Sequence, residues 1–312
     1  MTRIVVPLVL LVSLAACGDD DAAEPGADAG PSASPDAAPA GPGFDVRSPD
    51  LTIASGEEKT YCFYTTLALD RDVGVKHWSS HMTPGSHHMI VYFTDAADQP
   101  DGTIDESCGG FGSSASNIPV WTYSAQQADA EMKIPAGVGM TVKQQQHLYI
   151  QMHYLNTTDE PLTVHVELHA DAYDAGESYF PAAAFVTYNT QIDLAPGATG
   201  SFGGSCTVPD GVQFFTLSTH AHRRAIHTQV QDGTPVVFES DDWEHPGAAD
   251  WLTAAYTFSS PKLTYRCDYH NDTDAPVRTG PSAQTDEMCM AIGYFYPAPA
   301  GPKFCINSTV VN

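Results

Sequence analysis

Leu162, Val164, Val166 and Leu168 alternate with Thr163, His165, Glu167 and His169. A period of two sets the apolar side chains on one face and the polar ones on the other, the pattern of a half-buried strand. Strand-like runs recur at 91–93, 148–155, 214–230, 236–239, 263–269 and 291–296, separated by clusters of Pro, Gly, Asn and Asp. No stretch keeps a 3.6-residue apolar stripe beyond two turns. A chain of this kind buries its apolar faces by stacking sheets. The expected fold is therefore all-β, with two tandem antiparallel jelly-roll or β-sandwich domains at 44–176 and 177–312.

The N-terminal residues carry a different signal. Arg3 precedes an apolar run at 4–16, long enough for a signal peptide and too short to span a bilayer. The run ends Leu14-Ala15-Ala16-Cys17, which resembles a bacterial lipobox. That resemblance implies a lipoprotein signal peptide at 1–16 and a lipid on Cys17. It implies export to the bacterial cell envelope, with the outer membrane or cell surface favoured by Gly18. From 17 to 43 the chain is almost entirely Asp, Ala, Pro, Gly and Ser, which cannot bury enough apolar surface to offset its ordering entropy. It reads as a disordered tether reaching roughly 30 Å. With a formal net charge of −25, the protein repels nucleic acid, and the only expected membrane contact is the lipid anchor.

Beyond Cys17 stand six cysteines, Cys62, Cys108, Cys206, Cys267, Cys289 and Cys305. An even number in an exported chain implies disulfides, and the sequence alone leaves about 15 pairings open. A short echo links the two strand-rich blocks. Tyr154, Asn156, Thr158, Asp159 and Pro161 align with Tyr269, Asn271, Thr273, Asp274 and Pro276, each a strand running into a turn closed by proline. The chemistry of turns is stereotyped enough to produce such an echo without common origin.

The residues with the most chemistry are His87-His88-Met89, Gln151-Met152-His153-Tyr154, Thr219-His220-Ala221-His222 and Glu287-Met288-Cys289. Five imidazoles and a thioether suffice for two three-ligand sites; imidazole suits copper, and a thioether favours Cu(I) over harder cations. His220 and His222 lie two apart in a strand-like run and so share a face. A polar strand edge would look the same, and Arg223 and Arg224 beside the pair read as surface charges. His87 and His88 are adjacent, so a regular strand would point them apart; joint ligation requires a loop or bulge. His153 shares a face with Tyr149 and Gln151. A lone strand histidine or a lone methionine such as Met288 is more often packed than ligating. His165 and His169 flank Glu167 and read as solvated. His77, His81, His147, His227, His245 and His270 lack partners at ligand spacing.

Taken in order, HHM, QMHY, THAH and DEMC resemble the motifs of the copper type II, ascorbate-dependent monooxygenases, the family of dopamine beta-monooxygenase and peptidylglycine alpha-hydroxylating monooxygenase. The resemblance runs from about Tyr61 to Cys305, and the segment from Glu287 through Pro297 to Cys305 is most similar to the dopamine branch. It implies two jelly rolls facing each other across a solvent-filled cleft, each holding one of two copper ions. By motif, His87, His88 and His153 would hold the first, electron-supplying copper. His220, His222 and Met288 would hold the oxygen-binding copper. It also implies disulfides Cys62–Cys108, Cys206–Cys305 and Cys267–Cys289. Gln151 matches a residue near the first copper and is carried over as a supporting group.

The implied reaction is hydroxylation of a C–H bond in a small organic substrate by O2, with ascorbate or another small reductant as co-substrate. The substrate differs from those of the named branches. Ser218 stands where the peptide-hydroxylating enzymes have an arginine, and Met290 and Ile292 stand where they have asparagine and tyrosine. No carboxylate marks an amine site either. The alternatives are a non-enzymatic copper-binding or copper-delivery lipoprotein of the cell envelope, and an adhesion or carbohydrate-binding module with incidental histidines.

Overall fold

The computed structural model describes residues 42–108 and 119–311. The signal-peptide, lipobox and nearly all of the tether assignments, Cys17 included, lie outside the described residues. All regular structure among the described residues is β, as expected, and residues from 40 onward form one compact unit. The first strand, Gly43–Arg47, begins at the last tether position by pairing with Val166–Ala172. A Cβ at Gly43 would run into the Ala170 carbonyl, so glycine is there for close strand approach rather than for a linker.

The N-terminal half is a sandwich of two sheets. One has the order Gly43–Arg47, Val166–Ala172, Val73–Met82, Val138–Val142, Phe180–Pro181, with Asp129–Lys133 also paired to Val73–Met82. The other has the order Ile104–Asp105, Glu58–Ala68, Gln145–Leu155, Ser86–Thr94, Val120–Ala125. Trp78 of the first sheet is fully buried and stacks on Tyr123 of the second at 5.8 Å. The C-terminal half repeats the plan. Its larger sheet contains Gln213–Ala221, Cys289–Tyr296 and Ala183–Tyr188. Its smaller one runs Thr199–Thr207, Lys262–His270, Ala225–Asp232, Val236–Ser240. Phe214 packs between Phe185 and Phe295, at 5.6 and 5.8 Å.

Pairing moves the change of sandwich slightly past the expected 176/177. Phe180–Pro181 still pairs with Val138–Val142, and Ala183–Tyr188 opens the next sheet. The apolar core of the first sandwich continues into the second, taking in Phe215, Met290, Ile292 and Tyr294. This is why Ser86–Thr94 and most of Gln145–Leu155 are buried on both faces. The echo noted in the sequence is structural. Asn156 and Asn271 are each fully buried with Nδ2 against three backbone carbonyls: Ile53, Ala54 and Glu160 for one, Leu194, Ala195 and Ala275 for the other. Each Oδ1 accepts the N–H and hydroxyl of the threonine two residues on.

Candidate metal centre

The Ser86–Thr94 strand solves the problem of two adjacent histidines with one extra residue. His88 pairs with His153, but the next pair is Ser86 with Tyr154, so His87 is bulged out of register. The bulge cancels the strand alternation and turns both rings to one side. Their centroids lie 5.1 Å apart, and they stand 5.2 and 5.0 Å from that of His153.

The run 214–230, read as one strand, is two. Gln213–Ala221 belongs to one sheet and Ala225–Asp232 to the other, and residues 222–224 turn the chain between them. The fully buried Glu287 holds that turn: its carboxylate accepts the backbone N–H of His222 at 3.0 Å and of Arg224 at 2.8 Å. Burial pushes the Glu287 carboxyl up to about 7, against the lowering effect of those hydrogen bonds. His222 therefore sits just past its strand, with Nδ1 donating to the Asp286 carbonyl at 3.1 Å, and its ring is 5.3 Å from His220. Arg223 is exposed as expected, but Arg224 is buried, donates to the Gln284 carbonyl at 2.7 Å and lies 3.7 Å from Glu287. It braces the turn and is not a surface charge.

The two histidine sets meet. His88 lies 5.4 Å from His220, and His87 lies 6.0 Å from both His220 and His222, measured between ring centroids. One nitrogen each of His87, His88 and His220 falls within a mutual 4.8 Å, a trio drawn from both halves. The two expected histidine sets stand side by side, with rings 5.4 to 6.0 Å apart, where the resemblance implied a solvent-filled cleft between them. The apolar contact between the halves brings the ligand-bearing strands to the same end of one cavity. That cavity, about 380 Å³, is bounded by His88, His153, His220, Met288 and Gln151. Met288 is fixed by its neighbours: the Tyr269 hydroxyl donates to its carbonyl at 2.5 Å, and Cys289 is bridged to Cys267. The other bridges join Cys62 to Cys108 and Cys206 to Cys305, the pairings that the resemblance implied.

The donor set fits a soft or borderline cation. Nε2 of His87, Nδ1 of His88 and Nε2 of His222 are buried without a hydrogen-bond partner, which a native interior rarely tolerates unless something binds there. Burial holds these rings neutral: it lowers His87 to about 3 and His222 to about 4, and drives His88 and His220 well below the usual range, with neighbouring imidazoles adding to the effect on His87, His88 and His220. A neutral imidazole is the ligating form.

Glu58 was not visible from the sequence. Its carboxylate accepts from His153 Nε2 at 2.8 Å, from Ala283 N at 2.7 Å and from the Ser282 hydroxyl at 2.7 Å. Burial opposes its ionisation, yet these hydrogen bonds hold it down at about 2. One side chain thus orients a candidate ligand and ties the first sandwich to the segment leading to Met288. Trp243, with its ring 5.8 Å from that of His87, flanks the cluster and was signalled by no motif. Histidines left out of the site have ordinary surface partners: His77 with Asp171, His81 with Asp129, His169 with Asp45 and His227 with Asp241.

Neither a family model nor a curated protein matches this chain. Among solved structures, two similar in outline are "The Triple Jelly Roll Fold and Turret Assembly in an Archaeal Virus" and "Life in the extremes: atomic structure of Sulfolobus Turreted Icosahedral Virus". They match at 10% identity with TM-scores of 0.19 and 0.18, over 80% and 79% of this chain. The chain spans 59% and 58% of theirs, less than two thirds in each case.

Proposed function

We propose that this protein is a copper-dependent monooxygenase that hydroxylates a C–H bond of a small organic substrate, using O2 and a reductant such as ascorbate. The observation that carries the reading is a buried cluster of five imidazoles, four held neutral by burial and three with an orphaned nitrogen, bordering a largely apolar cavity beside a thioether. His87, His88 and His153 would hold one copper, and His220, His222 and Met288 the other. When bound, copper supplies one-electron redox chemistry with O2, so that one oxygen atom enters the substrate hydroxyl and the other leaves as water.

The chain's own residues have definable tasks. Asp286 fixes the His222 tautomer through its carbonyl and leaves Nε2 as the available donor. Glu58 does the same for His153 from the other nitrogen, leaving Nδ1. Tyr269 and the Cys267–Cys289 bridge restrain the backbone of Met288. The apolar walls of the cavity would hold the reacting carbon beside the cluster.

A copper carrier would need the imidazoles but not a substrate-sized cavity next to them, which favours the enzyme. Three disulfides fit an oxidising, exported environment of the kind inferred from the first residues. The test is metal content together with ascorbate-dependent oxygen uptake. Two copper ions per chain and substrate-stimulated uptake are expected, with Met288→Ala losing turnover while the nitrogen-only site stays loaded. Protein that takes up no copper overturns the reading. Two bound ions with no oxygen uptake, tried against a panel of aliphatic and benzylic substrates, leave the carrier.

A further inference from the structure

The same cavity says what kind of molecule fits it. Its walls beyond the imidazoles include Ile90, Tyr92, Trp121, Ala125, Met290 and Ile292, with Thr60 and Ser124 as small polar members. Among the described residues no Asp, Glu, Lys or Arg lines it, in a chain in which 16% of residues are charged. Elsewhere the charge is plentiful. A concavity of about 460 Å³ carries Asp95 and Lys143, and one of about 550 Å³ carries Asp45, Arg47 and Glu167. An ionic ligand group in the apolar cavity would lose its hydration and meet no opposite charge from a side chain. Apart from the imidazoles, the wall carries an amide without a partner: Nε2 of Gln126 is buried and has no hydrogen-bond partner, and Gln126 borders both this cavity and the neighbouring one. A buried donor of this kind normally has an acceptor.

We infer that the cavity beside the histidine cluster takes an uncharged, largely apolar molecule of about the size of a substituted benzene ring, and that the Gln126 amide donates to its one acceptor, a carbonyl or ether oxygen. This names the substrate class of the proposed monooxygenase and rests on that reading for the word substrate, though not for the binding. Met290 and Ile292 supply the reason at sequence level. They stand two apart on Cys289–Tyr296, in register with His220 and Ser218, and present thioether and aliphatic surface to the cavity. Ser218 does not line the cavity and donates to the Gly247 carbonyl at 2.5 Å.

Four probes sharing a benzyl group separate the possibilities: phenylacetone, isobutylbenzene, phenylacetate and 2-phenylethylammonium. Their Kd values are measured on the full chain by tryptophan fluorescence and saturation-transfer NMR, without copper and then with it. Phenylacetone is expected to bind at least about tenfold more tightly than either ion. Gln126→Leu is expected to weaken phenylacetone about tenfold while leaving isobutylbenzene within about twofold, so that the hydrocarbon doubles as a check on folding. Gln126→Glu, which keeps the length of the side chain and removes the amide donor, is expected to weaken phenylacetone similarly. Equal or tighter binding of an ion overturns the inference, as does failure of both neutral probes to bind at millimolar concentration. An unchanged phenylacetone Kd in both variants overturns the role of Gln126. Because binding is read first without copper, an absence of oxygen uptake would remove the monooxygenase reading alone. Loss of selectivity with copper uptake and turnover intact would remove the substrate class alone.

Discussion

The two sandwiches turn the same corner with the same side chains and then use the strand before it differently. In the first, Gln145–Leu155 runs into the Asn156 turn and carries His153 into the cluster. In the second, Lys262–His270 runs into the Asn271 turn and carries no cluster residue. Its Tyr269 and Cys267 instead hold Met288 and Cys289 on the neighbouring segment. Tyr154, aligned with Tyr269, points its hydroxyl at Met152 Sδ at 3.5 Å and supports nothing in the cluster. The corner is thus a structural device, conserved between the halves because a buried asparagine can satisfy three carbonyls and two donors at once. The chemistry is placed on whichever strand reaches the shared cavity, directly in one half and at one remove in the other.

The sharpest way to break this comparison is to remove both corners in turn. Asn156→Ala and Asn271→Ala should each cost about 3 kcal/mol or more, since several buried backbone groups lose their partner. Denaturant titration should give the two variants similar losses. If one costs under about 1 kcal/mol, the corners are not equivalent. A smaller effect is expected from opening the bridge that only the second sandwich uses at its site. Replacing Cys267 and Cys289 together by alanine should lower stability by roughly 2 to 3 kcal/mol for a loop of this length. It should also weaken copper retention at the thioether-bearing set more than at the nitrogen-only set, read by metal content after dialysis. The finest distinction lies in the tyrosines. Tyr269→Phe should change stability by about 1 kcal/mol yet lower turnover roughly tenfold, because it frees the Met288 backbone. Tyr154→Phe should leave turnover unchanged. Equal turnover in the two variants would erase the difference drawn between direct and supported placement.

Parts of this site could be read before any coordinates. The period-two spacing of His220 and His222 announced a shared direction, and the Asn-Thr-Pro echo announced two matching corners. The adjacency of His87 and His88 announced an irregularity, although only the strand register located it at His87. Other parts could not be read. Glu58 lies in an unremarkable polar stretch, and what makes it matter is Ser282 and Ala283 more than 220 residues away. Glu287 was in view as the neighbour of Met288, but nothing local said that its carboxylate would break a long strand-like run into two. Gln126 has no motif at all.

Local periodicity and turn chemistry determined the all-β architecture and the strand runs in which most of the histidines lie, because those depend on side chains a few residues apart. How the two sandwiches meet depends on apolar surface summed over whole sheets, and no short pattern encodes that sum. Tertiary packing alone therefore decided that five imidazoles form one cluster, that Arg224 is buried, and that no charged side chain lines the space beside them.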